Sequence, residues 1–245
     1  MEIIRSMHPE WLSNSWLIVD QSAVLVDSGG PVETIVERLE SGGIELSHVI
    51  CTHRHPDHIQ HNEFYKKRFQ ALVAGPEIEK QFLASCDLPL TGGEVLNIGS
   101  LEIKILAVPG HTAGHLAVLM NDQHLFPGDV LFKGSVGGTC GPGASGYEDH
   151  RRSIMDVLMK LPHNTQVHPG HMESTTIGHE WEHNPFIRFW RGIPQEVAEK
   201  PVRVFDRSAV LLVDAVDYDG DRKCLVRCEQ TNALEIVPGS KVQEI

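Results

Sequence analysis

The sequence predicts an α+β protein, with a large N-terminal domain over residues 1–197 and a small β-rich C-terminal appendage over residues 198–245. Over the first part of the chain, short apolar runs bounded by turn residues alternate with stretches of helical period. From Val202 onward, apolar runs alternate with turns and no helical pattern follows. This change of texture begins around Gly192-Ile193-Pro194 and places the domain boundary near residue 198.

Each element rests on a local signal. Apolar runs that stop at turn residues predict strands at 16–19, 23–26, 48–52, 71–74, 94–98, 101–108, 116–120, 124–126 and 166–168, and in the appendage at 209–218, 223–229 and 234–237. Apolar residues at helical spacing predict helices at 32–39, 62–69, 76–83, 148–161 and 174–190. Pro31 and Pro76 open two of these helices, and Asn184-Pro185 breaks the last one.

The composition of the chain indicates which kinds of partner and which cellular location are favoured. The 245 residues carry a formal net charge of −12, which disfavours nucleic acid and an anionic membrane surface as partners. The N-terminus lacks the pattern of a signal peptide, and no apolar stretch approaches the length needed to cross a bilayer. Five cysteines at scattered spacings favour a reducing compartment over a disulfide framework. We therefore expect a cytoplasmic protein that acts on a small molecule.

The strongest chemical signal is a cluster of ligand-type side chains directly after a predicted strand. His53, His55, Asp57 and His58 fill four of the six positions 53–58, and Pro56 makes a continuous helix there unfavourable. A sharp loop can aim all four side chains into one cavity. Imidazole and carboxylate groups together suit a divalent cation such as zinc or iron.

Three more ligand-type residues occur in a repeated context. His111, Asp129 and His171 each lie at or just beyond the end of an apolar strand, and each follows a glycine. Glycine lets the backbone turn tightly and approach a site. A single such residue is more often a turn or surface residue, but seven in strand-end loops predict a metal centre.

These segments resemble the metallo-β-lactamase superfamily, and within it the glyoxalase II-like group of short bacterial hydroxyacylglutathione hydrolase-type proteins. The segments that carry the resemblance are 52–58 (THRHPDH), 109–115 (PGHTAGH), 128–134 (GDVLFKG), 169–171 (PGH) and 174–186 (STTIGHEWEHNPF). The resemblance extends over about residues 1–190 and implies a four-layer αββα sandwich with the metals at one edge.

The resemblance also implies a division of the ligands between two divalent metal ions. It assigns His53, His55 and His111 to one metal and Asp57, His58 and His171 to the other, with Asp129 bridging the two. Asp57 and Asp129 are the expected catalytic residues. Zinc is the first choice of metal, with iron or manganese as alternatives. Asp27 resembles a carboxylate that fixes a ligand imidazole, and His115 resembles a position near the site that is not a ligand.

Three departures from the family limit what the resemblance implies. Gln60-His61-Asn62 replaces the small residues that usually follow the cluster, and the loop 134–139 lacks the basic residue that helps to hold the glutathione carboxylate. The β appendage stands where full-length glyoxalase II enzymes have a helical domain. Its role is open between homo-oligomerisation, binding of a partner and coverage of a sheet edge.

The expected activity is hydrolysis of a thioester, or of a related ester or lactone, by metal-bound hydroxide. An alternative is an enzyme similar to the persulfide dioxygenases, in which His53, His111 and Asp129 hold a single iron. A third reading is a non-catalytic relative that binds a ligand. Retention of all seven ligand-type residues favours an enzyme over that third reading.

Overall fold

A computed structural model describes residues 1–83, 85–194 and 199–245. The chain forms two compact units that interleave along the sequence. The first unit comprises Met1–Ala107, Gly114–Gly128 and Val167–Met172, and the second comprises Val108–Ala113, Asp129–Gln166 and Glu173–Ile245. The predicted domain boundary near residue 198 lies outside the described residues.

The first sheet of the first unit places Asp27 and the cluster 53–58 at one edge. Its strands lie side by side in chain order: β1 (Glu2–Met7), β2 (Asn14–Val19), β3 (Ala23–Val26), β4 (Leu46–Ile50), β5 (Leu72–Pro76) and β6 (Leu88–Leu90). β1 to β3 are antiparallel, whereas β3 to β6 are parallel. The carboxyl ends of parallel strands share an edge. Asp27 follows β3 and the cluster 53–58 follows β4, so both lie at that edge.

The second sheet of this unit is an antiparallel meander. It contains β7 (Val95–Ile98), β8 (Leu101–Ala107), β9 (Leu116–Met120) and β10 (His124–Phe126). Gly99 has φ 59° in the turn between β7 and β8, and Asn121 and Asp122 have φ 49° and 54° in the turn between β9 and β10. These are residue types that tolerate positive φ, which explains why the sequence predicted both hairpins.

The alternation of side chains along each strand builds two apolar layers. Trp16 and Ile18 of β2 join a buried cluster with Ile103 and Val118 of the second sheet. The intervening Leu17 joins a second cluster on the opposite face. That cluster includes buried residues of α1 (Val32–Gly42) and α3 (Asn62–Phe69). The first unit is therefore layered as helices, sheet and sheet.

The described helices follow the predicted ones with three differences, of which two are changes of helix type and one is a short helix where the sequence predicted a loop. The helix predicted at 76–83 is a 3-10 segment, Glu77–Phe82, and the one at 148–161 is α4 (Tyr147–Arg152), continued by a π segment and a 3-10 turn. The cluster 53–58 contains one short helix, α2 (Pro56–Ile59). The last predicted helix is split into α5 (Ile177–His183) and α6 (Pro185–Trp190). Asn184 separates them because its side chain accepts the Phe186 amide hydrogen at the start of α6.

The second unit contains the C-terminal sheet. Its strands are β15 (Lys200–Val204), β16 (Arg207–Val216), β17 (Arg222–Cys228), β18 (Leu234–Pro238) and β19 (Val242–Glu244). Four shorter strands outside this sheet occur earlier in the chain: β11 (Leu131–Phe132), β12 (Ser135–Val136), β13 (Gln166–Val167) and β14 (Thr175–Thr176). The spatial order is β18-β17-β16-β15-β19, and all pairs are antiparallel. The three strands predicted here are confirmed as β16 to β18, and β15 and β19 extend the sheet.

No helix in the described part of the chain is long and apolar enough to cross a membrane.

Candidate metal centre

Three of the predicted ligands converge within the first unit. Oδ2 of Asp57 lies 3.5 Å from Nε2 of His58 and 3.4 Å from Nε2 of His171. The ligand atoms of the three residues all lie within 4.8 Å of one another. His58 and His171 are buried, while the Asp57 side chain is 24% exposed. Two imidazole nitrogens and one carboxylate oxygen form a donor set that fits a divalent cation such as zinc or iron.

Hydrogen bonds behind the two imidazoles fix their orientation. Nδ1 of His58 lies 2.9 Å from Oδ2 of Asp27, and Nδ1 of His171 lies 3.0 Å from the carbonyl oxygen of Trp11. Because both acceptors require a proton on Nδ1, the lone pair of each ring is on Nε2 and faces Asp57. Asp27 therefore stands behind His58, as the resemblance implied.

The loop that carries Asp27 is shaped for close approach to the ligand loop. Asp27 has φ 57°, an uncommon left-handed conformation for a residue other than glycine. A Cβ atom on Gly29 would lie 1.5 Å from the carbonyl oxygen of Asp57, so only glycine fits at this position. The amide of Ser28 donates to the carbonyl of His58 at 2.7 Å. The two loops thus hold each other through their backbones.

His53 and His55 form a second group of imidazoles in the first unit. Nε2 of His53 lies 3.0 Å from Nδ1 of His55, a separation that suits two ligands of one cation. His115 stacks on His53 with ring centroids 4.6 Å apart, and its Nδ1 lies 3.0 Å from the carbonyl oxygen of Leu116. Its buried ring therefore packs beside a predicted ligand, as expected for a neighbour of the site.

The second unit brings together the two remaining predicted ligands. Nε2 of His111 lies 3.6 Å from Oδ2 of Asp129, and Nδ1 of His111 lies 2.9 Å from the carbonyl oxygen of Gly138. A Cβ atom on Gly137 would lie 1.9 Å from the carbonyl oxygen of Asp129 and 3.2 Å from Nδ1 of His111. The glycines of the loop 134–139 therefore allow its backbone to contact both residues.

Two further residues of the second unit support this region. His150 is fully buried, and a Cβ atom on Gly110 would lie 2.3 Å from its Cα atom. Burial lowers the pKa of His150 to about 3, which keeps its ring neutral. The hydroxyl of Tyr147 accepts a hydrogen bond from Nε1 of Trp190 at 2.9 Å, which holds Tyr147 against α6. The sequence carried no signal for the burial of His150.

Arg54 was not singled out from the sequence, although it lies between two predicted ligands. Its guanidinium carbon lies 4.2 Å from the centroid of the Phe82 ring, at the end of the 3-10 segment that follows β5. The sequence signal that could have drawn attention to Arg54 is a positively charged residue inside a ligand motif of an acidic chain.

His61, which precedes α3, is partly buried, and this burial lowers its pKa.

The sequence profile of the Metallo-beta-lactamase superfamily matches residues 8–171. The chain belongs to this superfamily. The predicted four-layer αββα class is confirmed by this membership, whereas residues 172–245 lie beyond the matched region.

Similar proteins include a member of the group that the sequence predicted and a zinc-dependent hydrolase. The hydroxyacylglutathione hydrolase GloC of Haemophilus influenzae is 33% identical over 191 residues, which cover 69% of this chain and 88% of the relative. The probable polyketide biosynthesis zinc-dependent hydrolase BaeB of Bacillus velezensis is 30% identical over 185 residues, which cover 73% and 81%. The predictions of a glyoxalase II-like group and of a metallo-hydrolase are confirmed.

Solved structures are similar over the same share of the chain. The B3 metallo-β-lactamase BLEG-1 superposes with a TM-score of 0.72 at 27% identity and covers 76% of this chain and 99% of its own. TTHA1623, in a di-iron-bound form, superposes with a TM-score of 0.65 at 28% identity and covers 76% and 100%. Metal-bound members of the superfamily therefore include an iron form.

Proposed function

We propose that this metallo-hydrolase cleaves a thioester, or a related ester or lactone, at a centre of two divalent metal ions. The observation that carries the proposal is the group Asp57, His58 and His171, in which both imidazoles present Nε2 to one carboxylate oxygen. Hydrogen bonds to Asp27 and to the Trp11 carbonyl hold that arrangement. The identity of 33% to a hydroxyacylglutathione hydrolase supports the choice of a thioester.

The proposed ligand sets follow the family motif. His53, His55 and His111 would bind one metal, and Asp57, His58 and His171 would bind the other. Asp129 would bridge the two metals, and its negative charge would reduce their repulsion. Zinc is the first choice because the relative BaeB is named as a zinc-dependent hydrolase. Iron is the main alternative because TTHA1623 has been solved in a di-iron-bound form. Manganese stays a further alternative.

The side chains of this chain have distinct tasks in hydrolysis. Two bound cations supply a water of lowered pKa and polarise the substrate carbonyl. Asp57 is more exposed than the two imidazoles it faces, so its carboxylate is placed to orient water and to accept a proton. Asp129 is nearly buried, where its carboxylate would face the metals rather than solvent.

The substrate is a small molecule, and the proposal leaves unspecified which thiol forms the thioester. The loop 134–139 contains no basic residue, although a cation near this point helps glutathione-thioester enzymes of the family to hold the glutathione carboxylate. Glutathione specificity is therefore not part of the proposal. A cytoplasmic location and a homo-oligomeric state stay predictions from the sequence.

The test combines metal analysis with a substrate panel. The purified chain is loaded with zinc, iron or manganese, and bound metal is counted by elemental analysis. Each form is then assayed on a hydroxyacyl-glutathione thioester, on the same acyl group joined to a thiol without glutathione, and on a lactone. We expect two metals per chain and turnover of at least one thioester.

A substitution tests the bridging residue. Asp129→Ala removes the shared carboxylate, so we expect loss of both metals or of most activity. Asp156→Ala is the matched control because Asp156 is an exposed carboxylate of the helical segment after α4. Full activity of Asp129→Ala with two metals bound would contradict the bridging role.

A one-iron dioxygenase is the second candidate, since TTHA1623 shows that iron can occupy a related centre, there as a pair of irons. Two histidines and one carboxylate, here His53, His111 and Asp129, are the ligand set of many oxygen-using iron enzymes. One iron per chain, with oxygen consumed in the presence of a persulfide and no thioester cleaved, would favour the dioxygenase. Metal binding without turnover of either substrate class would favour a non-catalytic relative.

A further inference from the structure

The C-terminal sheet reaches the loop 134–139 through one edge strand. β18 lies at the end of the sheet order, so only one of its edges pairs with β17. On the other edge, Ile236 exchanges two hydrogen bonds with Thr139. The Thr139 amide donates to the Ile236 carbonyl at 3.0 Å, and the Ile236 amide donates to Oγ1 of Thr139 at 2.9 Å. Both residues are buried.

A single peptide group connects this contact to His111. The carbonyl of Gly138 and the amide N–H of Thr139 belong to the same planar unit and point in opposite directions. The N–H is held by Ile236, so the carbonyl is aimed at Nδ1 of His111, 2.9 Å away. An acceptor at Nδ1 requires a proton there and leaves the lone pair on Nε2. Nε2 is the atom that faces Asp129.

The start of the same loop is anchored to the same sheet. Oγ of Ser135 donates to Oδ1 of Asp217 at 2.8 Å. Asp217 also pairs with Lys223 at 2.8 Å, and both charged side chains are nearly buried. The loop is therefore fixed at both of its ends, to the turn that follows β16 and to β18, by bonds between residues that are 82 and 97 positions apart.

We infer that the C-terminal sheet is a positioning element for the metal ligand His111, acting through Ile236, Thr139 and the Gly138 carbonyl. The inference rests on the proposed metal site, because it assigns His111 as a ligand. It gives the appendage a role within the site, and it explains how a glycine-rich loop without a basic residue is held in one conformation. Partners behind a ligand histidine set the tautomer and orientation of its ring.

The test compares Thr139→Val with Thr139→Ser in the full-length chain. Valine has the shape of threonine but removes the acceptor of the Ile236 N–H, whereas serine keeps it. The two zinc dissociation constants of each protein are measured by competition with a chelator. We expect Thr139→Val to weaken one of them roughly 10-fold or more and to leave the other unchanged. Thr139→Ser should bind both zinc ions as the unsubstituted chain does.

A merely structural role would give a different result, because it would lower the thermal midpoint of the metal-free protein without weakening one zinc site selectively. Unchanged zinc affinities in Thr139→Val would overturn the inference. A wild-type chain that binds no zinc, iron or manganese would instead overturn the proposed function.

A second measurement does not depend on whether the variants at position 139 fold. The tautomer of His111 is read from nitrogen-15 chemical shifts of the metal-free wild-type chain above pH 7, with His111→Gln used only to assign the signal. We expect the proton on Nδ1. A proton on Nε2 would overturn the inference even if Thr139→Val failed to fold.

Discussion

Asp27 connects backbone, hydroxyl and imidazole groups through one carboxylate. Its Oδ1 accepts the Thr52 amide hydrogen at 2.8 Å, and its Oδ2 lies 2.9 Å from both Oγ1 of Thr52 and Nδ1 of His58. An ionised carboxylate is an acceptor only, so it can serve three donors at once without conflict. The left-handed φ of Asp27 is a local cost that these bonds offset.

The substitution Asp27→Asn tests this assignment without removing a ligand. The amide keeps the shape of the side chain, but its NH₂ group faces at least one of the donors that the carboxylate now accepts. We expect the affinity for zinc to fall between about 10-fold and 100-fold, because His58 loses its fixed tautomer. Chelator competition measures the loss. Asp20→Asn, which changes a carboxylate that accepts a hydrogen bond from Ser100, is the control, and equal affinities in the two variants would contradict the role of Asp27.

At the scale of elements, the sequence could predict the strands and the ligand loops because both leave local signals. β3 and β4 end at turn residues, and the ligands follow within a few positions. The 3-10 segment Glu77–Phe82 and the π segment Ser153–Val157 could not be predicted, because they have the same apolar spacing as an α-helix. β15 and β19 were also missed, since they are short strands whose pairing partners are defined only in the folded sheet.

The contact between the Asp27 loop and the ligand loop makes a prediction about Gly29. Gly29→Ala places a methyl group where the Asp57 carbonyl now lies, so one loop must move. We expect the free energy of unfolding of the metal-free protein to fall by about 1–3 kcal/mol, the usual cost of overpacking. Urea denaturation measures it. Gly141→Ala is the control, because a Cβ atom there meets nothing within 4 Å, and a stability of Gly29→Ala equal to that control would rule out the close approach.

At the scale of the whole molecule, the two compact units are not two consecutive segments. The second unit combines the C-terminal sheet with Val108–Ala113, Asp129–Gln166 and the residues from Glu173 onward. A change in the apolar pattern along the sequence marks where strands replace helices, but it carries no information on contacts between distant segments. The bonds from Ile236 to Thr139 are of that kind. This is why the sequence left the role of the appendage open.

Buried histidines make the stability of the whole molecule depend on pH. Burial lowers the pKa of His168, which lies against Trp16, Phe126 and His124, from 6.5 to about 4. Burial lowers that of His150 to about 3. Between these values and 6.5 the unfolded chain binds protons that the folded chain does not. The free energy of unfolding therefore falls as the pH decreases below about 6.5.

His168→Gln removes one of the two buried imidazoles that bind a proton only in the unfolded chain. We expect the curve of unfolding free energy against pH, measured by urea denaturation of the metal-free protein, to become flatter between pH 6.5 and 4.5 by at most one proton. That difference in slope is at most about 1.4 kcal/mol per pH unit. Above pH 7.5 the ring is neutral in both states, so the two curves should run parallel there. An unchanged slope below pH 6.5 would show that His168 is protonated in the folded protein, and its burial would then not explain the acid sensitivity.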